Sequence, residues 1–208
     1  ANDKMVKKWD FTNDKVTDNM TLYAQWREEK LPSTPLYKAP TITGPDTINL
    51  LEGYDSTDQV YTFGGRPVPT YGTEATTADA IFVGNMLTIP EGHETGSYEV
   101  TLYATNSVGT TTKIVTVNVY PVITINFVTD IAIVLSRDDN SIIATGGAGS
   151  PYTFTLAPGS SMPDGLTLHS DGTITGTTDT GIYDPVSIVI SDSVGNSITK
   201  TLHVNVTD

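Results

Sequence analysis

Chemistry on a protein surface needs titratable or metal-binding groups that converge, and this chain offers few. Its three histidines, His93, His169 and His203, stand in a turn, at a strand end and on the outward side of a strand. His93-Glu94 begins like a zinc-protease motif, yet no second histidine follows at the required spacing and the pattern around it is not helical. Neither a Gly-x-Ser-x-Gly elbow nor a phosphate-cradling glycine loop occurs. The absence of cysteine removes disulfides and thiolate metal sites. Oxygen ligands are better represented. Asp138, Asp139 and Asn140 adjoin, and Asp46, Asp55 and Asp58 fall in loop-like stretches, so calcium is the metal these residues would suit. Turn-forming aspartate and asparagine explain the same letters without a metal. The expectation is therefore no catalytic residue and no cofactor, with Asp138, Asp139 and Asn140 as the calcium candidates.

Other residues stand out by position. Lys113 precedes Val115 by two residues and Lys200 precedes Leu202 by two, so strand alternation turns both lysines toward the core. A strand-end lysine there is expected to snorkel to water. Tyr61, Tyr71 and Tyr103 read as exposed aromatics that could stack on a sugar ring, although tyrosine is common in strands for its β-propensity alone.

A tandem repeat positions all of these residues. GLTLHSDGTITGTTDTGIYDPVSIVISDSVG, residues 165–195, repeats much of the pattern of MLTIPEGHETGSYEVTLYATNSVG, residues 86–109. Ile89 and Ile174 are 85 residues apart, and each stands nine before a tyrosine, Tyr98 or Tyr183. The spacing grows to 86 at Val100/Val186, because Asp184-Pro185 holds one extra residue, and to 87 at Val117/Val204 after the next turn. Sheets tolerate insertions at such places. Tyr98, Val100, Leu102 and Ala104 alternate against Glu99, Thr101 and Tyr103, and Val115, Val117 and Val119 alternate against Thr116 and Asn118. The second copy repeats this with Val186, Ile188 and Ile190, then Leu202, Val204 and Val206. Many short strands, close turn signals and no 3.6-residue periodicity indicate an all-β chain of two tandem antiparallel sandwiches. Val100, Leu102, Val117, Ile188, Ile190 and Val204 are the expected core.

Composition bounds the role. The net charge is −13 although only 17% of residues are charged, so hydroxyl, amide and glycine residues supply the polar surface. Nucleic acid is not an expected partner, since a phosphate backbone would be repelled and no basic cluster exists beyond Lys4, Lys7 and Lys8. No apolar run reaches the roughly 20 residues of a membrane span. The cysteine-free composition fits a bacterial surface protein, and the chain reads as a piece of a longer exported one. Domains of this size bury only about 60–65% of their unfolded surface, which leaves little stability for a carved active site.

Three resemblances sharpen the reading. Gly165–Leu168, Gly172–Thr177, Gly181–Tyr183 and Asp192–Asn196 resemble the motif run of immunoglobulin-like and cadherin-like (dystroglycan-type) modules of bacterial surface proteins. The first copy resembles it in its later half. That likeness implies immunoglobulin-like domains at 39–120 and 121–208. It also makes Tyr98, two residues before Val100, resemble a tyrosine corner: a buried ring whose hydroxyl bonds an upstream backbone group, with Tyr183 its counterpart. Trp9-Asp10-Phe11 through Trp26 resembles the end of a Listeria–Bacteroides (internalin B-type) repeat, implying a β-hairpin remnant of a β-grasp unit over 1–28 and a proline-bearing linker over 29–38. Lys113 and Lys200 resemble the lysines that Gram-positive adhesin domains join to asparagine, but uncrosslinked lysines are expected. The resulting expectation is a non-enzymatic spacer of an extracellular, secreted or surface-attached bacterial protein. Its partners would be neighbouring domains, with carbohydrate or host-protein binding as the alternative.

Overall fold

The computed structural model describes residues 10, 12–15, 17–19, 37–127, 130–134 and 140–208. The chain forms two compact units, Ala1–Pro35 and Leu36–Asp208. The hairpin expected between Trp9 and Trp26 lies almost entirely outside the described residues. What is described there is a turn in which the Asp10 carboxylate accepts from the Thr12 N–H and the Asn13 amide.

The second unit is all-β. Its first half runs β1 (Lys38–Thr43), β2 (Thr47–Leu51), β3 (Thr57–Val60), β4 (Thr62–Arg66), β5 (Thr70–Thr76), β6 (Ile81–Val83), β7 (Met86–Ile89), β8 (Gly96–Asn106) and β9 (Gly109–Tyr120). One sheet has the order β2-β9-β8-β5, and the opposing strands pair as β1-β4 and β3-β7-β6. Alternation explains the packing. Val100, Leu102, Val115 and Val117, with Ile48 beside them in the same sheet, face Leu87 and Ile89 across one buried cluster.

The second half repeats the plan with β10 (Thr124–Ile125), β11 (Asp130–Val134), β12 (Ala144–Thr145), β13 (Thr153–Leu156), β14 (Leu166–Leu168), β15 (Ile174–Gly176), β16 (Gly181–Ser191) and β17 (Ser197–Thr207). Its larger sheet has the order β11-β17-β16-β13. The other layer is held by β10-β12, β14-β15 and the Ser141–Thr173 bridge. Ile188, Ile190, Leu202 and Val204 are buried with Phe154, Leu166 and Ile174. All six expected core residues are buried.

Among the described residues the sandwiches are antiparallel with one exception in each: β2 pairs parallel to β9, and β11 parallel to β17. Alternation along a strand carries no information about which distant strand lies beside it or in which direction. The two insertions read from the repeat are visible. Asp184-Pro185 forms a β-bulge between Tyr183 and Val186 in β16, and the β16–β17 turn opens beyond the tight Asn106–Gly109 hairpin.

Two glycines of the second copy have a steric cause. A Cβ on Gly165 would lie 2.1 Å from the Thr177 carbonyl oxygen, and one on Gly176 1.9 Å from that of Gly165. Both residues hold φ in the left-handed range, +87° and +108°.

The halves meet without a spacer. β9 ends at Tyr120, whose carbonyl accepts from the Glu52 N–H, and the next carbonyl, that of Pro121, accepts from the Gly147 N–H. Leu51, at the end of β2, packs against the core of the second sandwich.

Candidate functional site

The two corner tyrosines are built alike. Each follows Gly-x at the start of a long strand, and each hydroxyl donates to the carbonyl four residues upstream: Tyr98 to Glu94 at 3.0 Å and Tyr183 to Asp179 at 2.7 Å. Both rings are half-buried against their cores. Their role is to pin the turn that enters the strand. Beside Tyr98, the Tyr54 hydroxyl lies 2.6 Å from the Pro90 carbonyl oxygen and 2.7 Å from His93 Nδ1. Burial pushes the Tyr54 phenol up, with neighbouring Tyr98 adding to it.

Lys113 and Lys200 both sit on core-facing register positions, opposite Leu102 and Ile188. Their surroundings differ. The Lys113 side chain is 16% exposed and its ammonium pairs with the Asp46 carboxylate, itself 85% exposed. Lys200 is exposed, so its coreward register does not bury it; the long stem reaches past the rim to water.

Of the calcium candidates, Asp138 and Asp139 lie outside the described residues. The Asn140 amide is occupied with backbone, accepting from the Val134 N–H and donating to the Val134 carbonyl. Asp46 is engaged by Lys113, and Asp58 accepts from the Thr88 hydroxyl. Among the described residues, no three histidine, aspartate or glutamate side chains are placed to hold a metal. The histidines are likewise dispersed: His169 bonds Thr175 and His203 bonds the Tyr183 carbonyl.

The expected aromatic trio does not form one surface. Tyr61 is fully buried, contrary to its reading as exposed, because Gly44 leaves room for the ring and the Pro45 carbonyl takes its hydroxyl at 3.0 Å. Burial, helped by nearby Asp46, pushes its phenol up to about 12. Tyr71 stands opposite buried Ala104 on the core face and stacks on Phe63 with centroids 4.0 Å apart. The Tyr103 ring lies over Gly72.

Two features escaped sequence reasoning. Asp192 is buried and accepts four hydrogen bonds, from the Ala148, Val194 and Asn196 N–H groups and the Asn196 amide. The Asp-x-x-Gly-Asn spelling marked only a turn. The other is a groove of about 570 Å³ in the second sandwich, between the 157–164 loop and the bulge of β16. Its two walls are far apart in sequence.

Strand order, parallel closing strands and paired tyrosine corners define each half as an immunoglobulin-like β-sandwich. Residues 122–207 match the family model described as "Putative Ig domain". Among solved structures, a chimeric titin Z1Z2 carrying a KLER peptide from decorin is 25% identical over 41% of this chain and 98% of its own, with a TM-score of 0.34. Extracellular domains 3–5 of Drosophila OTK are 17% identical over 81% of this chain and 62% of theirs, with a TM-score of 0.41. Immunoglobulin domains 1–4 of Sidekick-1 are 16% identical over 85% and 51%, with a TM-score of 0.42. No curated protein matches the sequence.

Proposed function

We propose that the tandem is a stiff, non-catalytic spacer in a secreted or surface-attached bacterial protein, holding a further domain away from its anchor. The observation that carries this reading is the junction. Tyr120 and Pro121 are consecutive, their carbonyls are tied to opposite halves by Glu52 and Gly147, and Leu51 packs across into the second core. Proline and the lack of a flexible linker limit bending there. The acidic balance discourages neighbouring copies from collapsing together.

Small-angle scattering tests the reading. A 12-residue strand such as β9 spans about 40 Å at roughly 3.3 Å per residue, so two sandwiches in line should reach about 80 Å. The expected result is an elongated particle whose maximum dimension is unchanged by calcium. Sandwiches folded side by side would refute the spacer geometry, and calcium-dependent stiffening would favour a cadherin-like mechanism.

One observation favours a second reading, an adhesive module. On the outward face of β3-β7-β6, Val60, Met86 and Val83 stand in one cross-strand row beside Ile81, with exposures of 55%, 38%, 68% and 58%. Asp58 and Thr88 border them. Such a row is the kind of apolar patch a protein ligand covers. Binding on a host-protein array that is lost in Val83→Glu would support that reading.

A further inference from the structure

Two of the places where the second sandwich departs from the first meet. Between β5 and β6 the first has four residues, 77–80; between β13 and β14 the second has nine, 157–165. In the first sandwich β5 stays paired with β8 as far as Val100. In the second, β13 leaves β16 at Ile188, after which the Ala157 N–H still reaches the Ser187 carbonyl and the Ser187 N–H reaches Ser160 Oγ. The Asp184-Pro185 bulge is the other departure. The groove lies between the diverted loop and the bulge.

Its lining selects a class of ligand. Among the described residues no lysine, arginine or histidine lines it, whereas Asp164 and Asp184 do and are exposed, which disfavours an anion. Serine and threonine hydroxyls add further acceptors and donors. Proline and methionine carbons and the Tyr183 ring provide apolar surface, and the ring is held in place by its bonds to Asp179 and Thr178. A sugar ring has the complementary arrangement, with hydroxyls on its edge and a C–H face. The volume is that of a small-ligand site.

We propose that this groove binds a neutral carbohydrate, with Asp164 and Asp184 accepting hydrogen bonds from sugar hydroxyls while proline and tyrosine carbons cover the ring. The site is independent of the spacer reading: an elongated tandem can carry it, and a compact one equally. Because both carboxylates lie outside the core, they can be replaced without unfolding the sandwich.

The test is a ¹⁵N NMR titration of the full chain. The probes are glucose, galactose, mannose, N-acetylglucosamine and their disaccharides, with calcium chloride and L-arginine in separate titrations. The expected result is saturable, roughly millimolar binding of at least one sugar that moves amides in 160–164 and 183–187. In the double variant Asp164→Asn/Asp184→Asn, that affinity should fall at least about tenfold, the loss expected from two weakened hydrogen bonds. The melting midpoint of the variant should stay at the wild-type value. No sugar-induced movement of these amides at about 50 mM, far above any useful affinity, would overturn the proposal. So would calcium or arginine moving them where sugars do not, or undiminished sugar binding by the double variant.

Discussion

Asn106 and Asp192 occupy the same corner of the two sandwiches, and each ties its own hairpin turn to the loop before β5 or β13 with opposite chemistry. Asn106 donates through Nδ2 to the Lys38 and Pro67 carbonyls and accepts from the Val108 N–H. Asp192 only accepts, from Ala148, Val194 and Asn196. A glycine makes room for each: a Cβ on Gly65 would come within 3.0 Å of Asn106 Nδ2, and one on Gly147 within 2.6 Å of Asp192 Oδ2. Replacing Asp192 with alanine leaves several part-buried N–H donors without their acceptor and should cost the second sandwich about 3 kcal/mol, against about 1–2 kcal/mol for Asn106→Ala. Urea denaturation of each variant measures the difference.

Alkaline pH should selectively weaken the first sandwich. The Tyr61 phenol is buried and its pKa is raised from 10.0 to about 12. A raised pKa means the folded state favours the protonated phenol, so this contribution is intact below pH 10 and disappears as pH rises toward 12. The loss should be about 2–3 kcal/mol. Lysine titrates in the same range, so Tyr61→Phe is the control: its stability should fall less between pH 10 and 12 than that of the wild type.

The corner hydroxyls should be worth less than the rings that carry them. Tyr98→Phe and Tyr183→Phe should each cost about 1 kcal/mol through the lost bonds to Glu94 and Asp179. Alanine at either position should cost about 3 kcal/mol or more. An unchanged melting midpoint for Tyr98→Ala would remove its structural role.

Gly176 and Gly159 separate sterics from backbone preference. Both hold positive φ, but a Cβ at Gly176 would strike the Gly165 carbonyl whereas none at Gly159 meets any atom within 4 Å. Gly159→Ala should cost about 1–2 kcal/mol from conformation alone. Gly176→Ala should cost at least about 2 kcal/mol more, because backbone must move. Thermal melts of the two variants decide it.

Intact-mass measurement should return the mass of the unmodified sequence. An amide between Lys113 and Asp46 would expel water, and one between either lysine and an asparagine would expel ammonia. Asp46, the carboxylate beside Lys113, is largely solvated and Lys200 is exposed, so neither lysine is sealed from water together with an acyl partner. A deficit of either molecule would show that the sandwiches carry covalent ties.

Local periodicity made much of this molecule legible. Strict alternation in β8, β9, β16 and β17 marks Val100, Val117, Ile188 and Val204 as core because a pleated strand has only two faces. The repeat arithmetic located the Asp184-Pro185 bulge for a similar reason: one extra residue must be absorbed where pairing is loose. Three other features depended on partners distant in the chain. The parallel pairing of β2 with β9 joins Thr47 to Thr116. Tyr61 is buried only because Gly44 yields space and the Pro45 carbonyl receives its hydroxyl. Lys113 and Lys200 share a register but not an environment, since Asp46 reaches one and water the other. The groove belongs with these, because its walls, 157–164 and 183–187, touch only once the sheet is paired. Side-chain period is a property of one strand, whereas space, counter-charge and hollows are properties of what folding brings beside it.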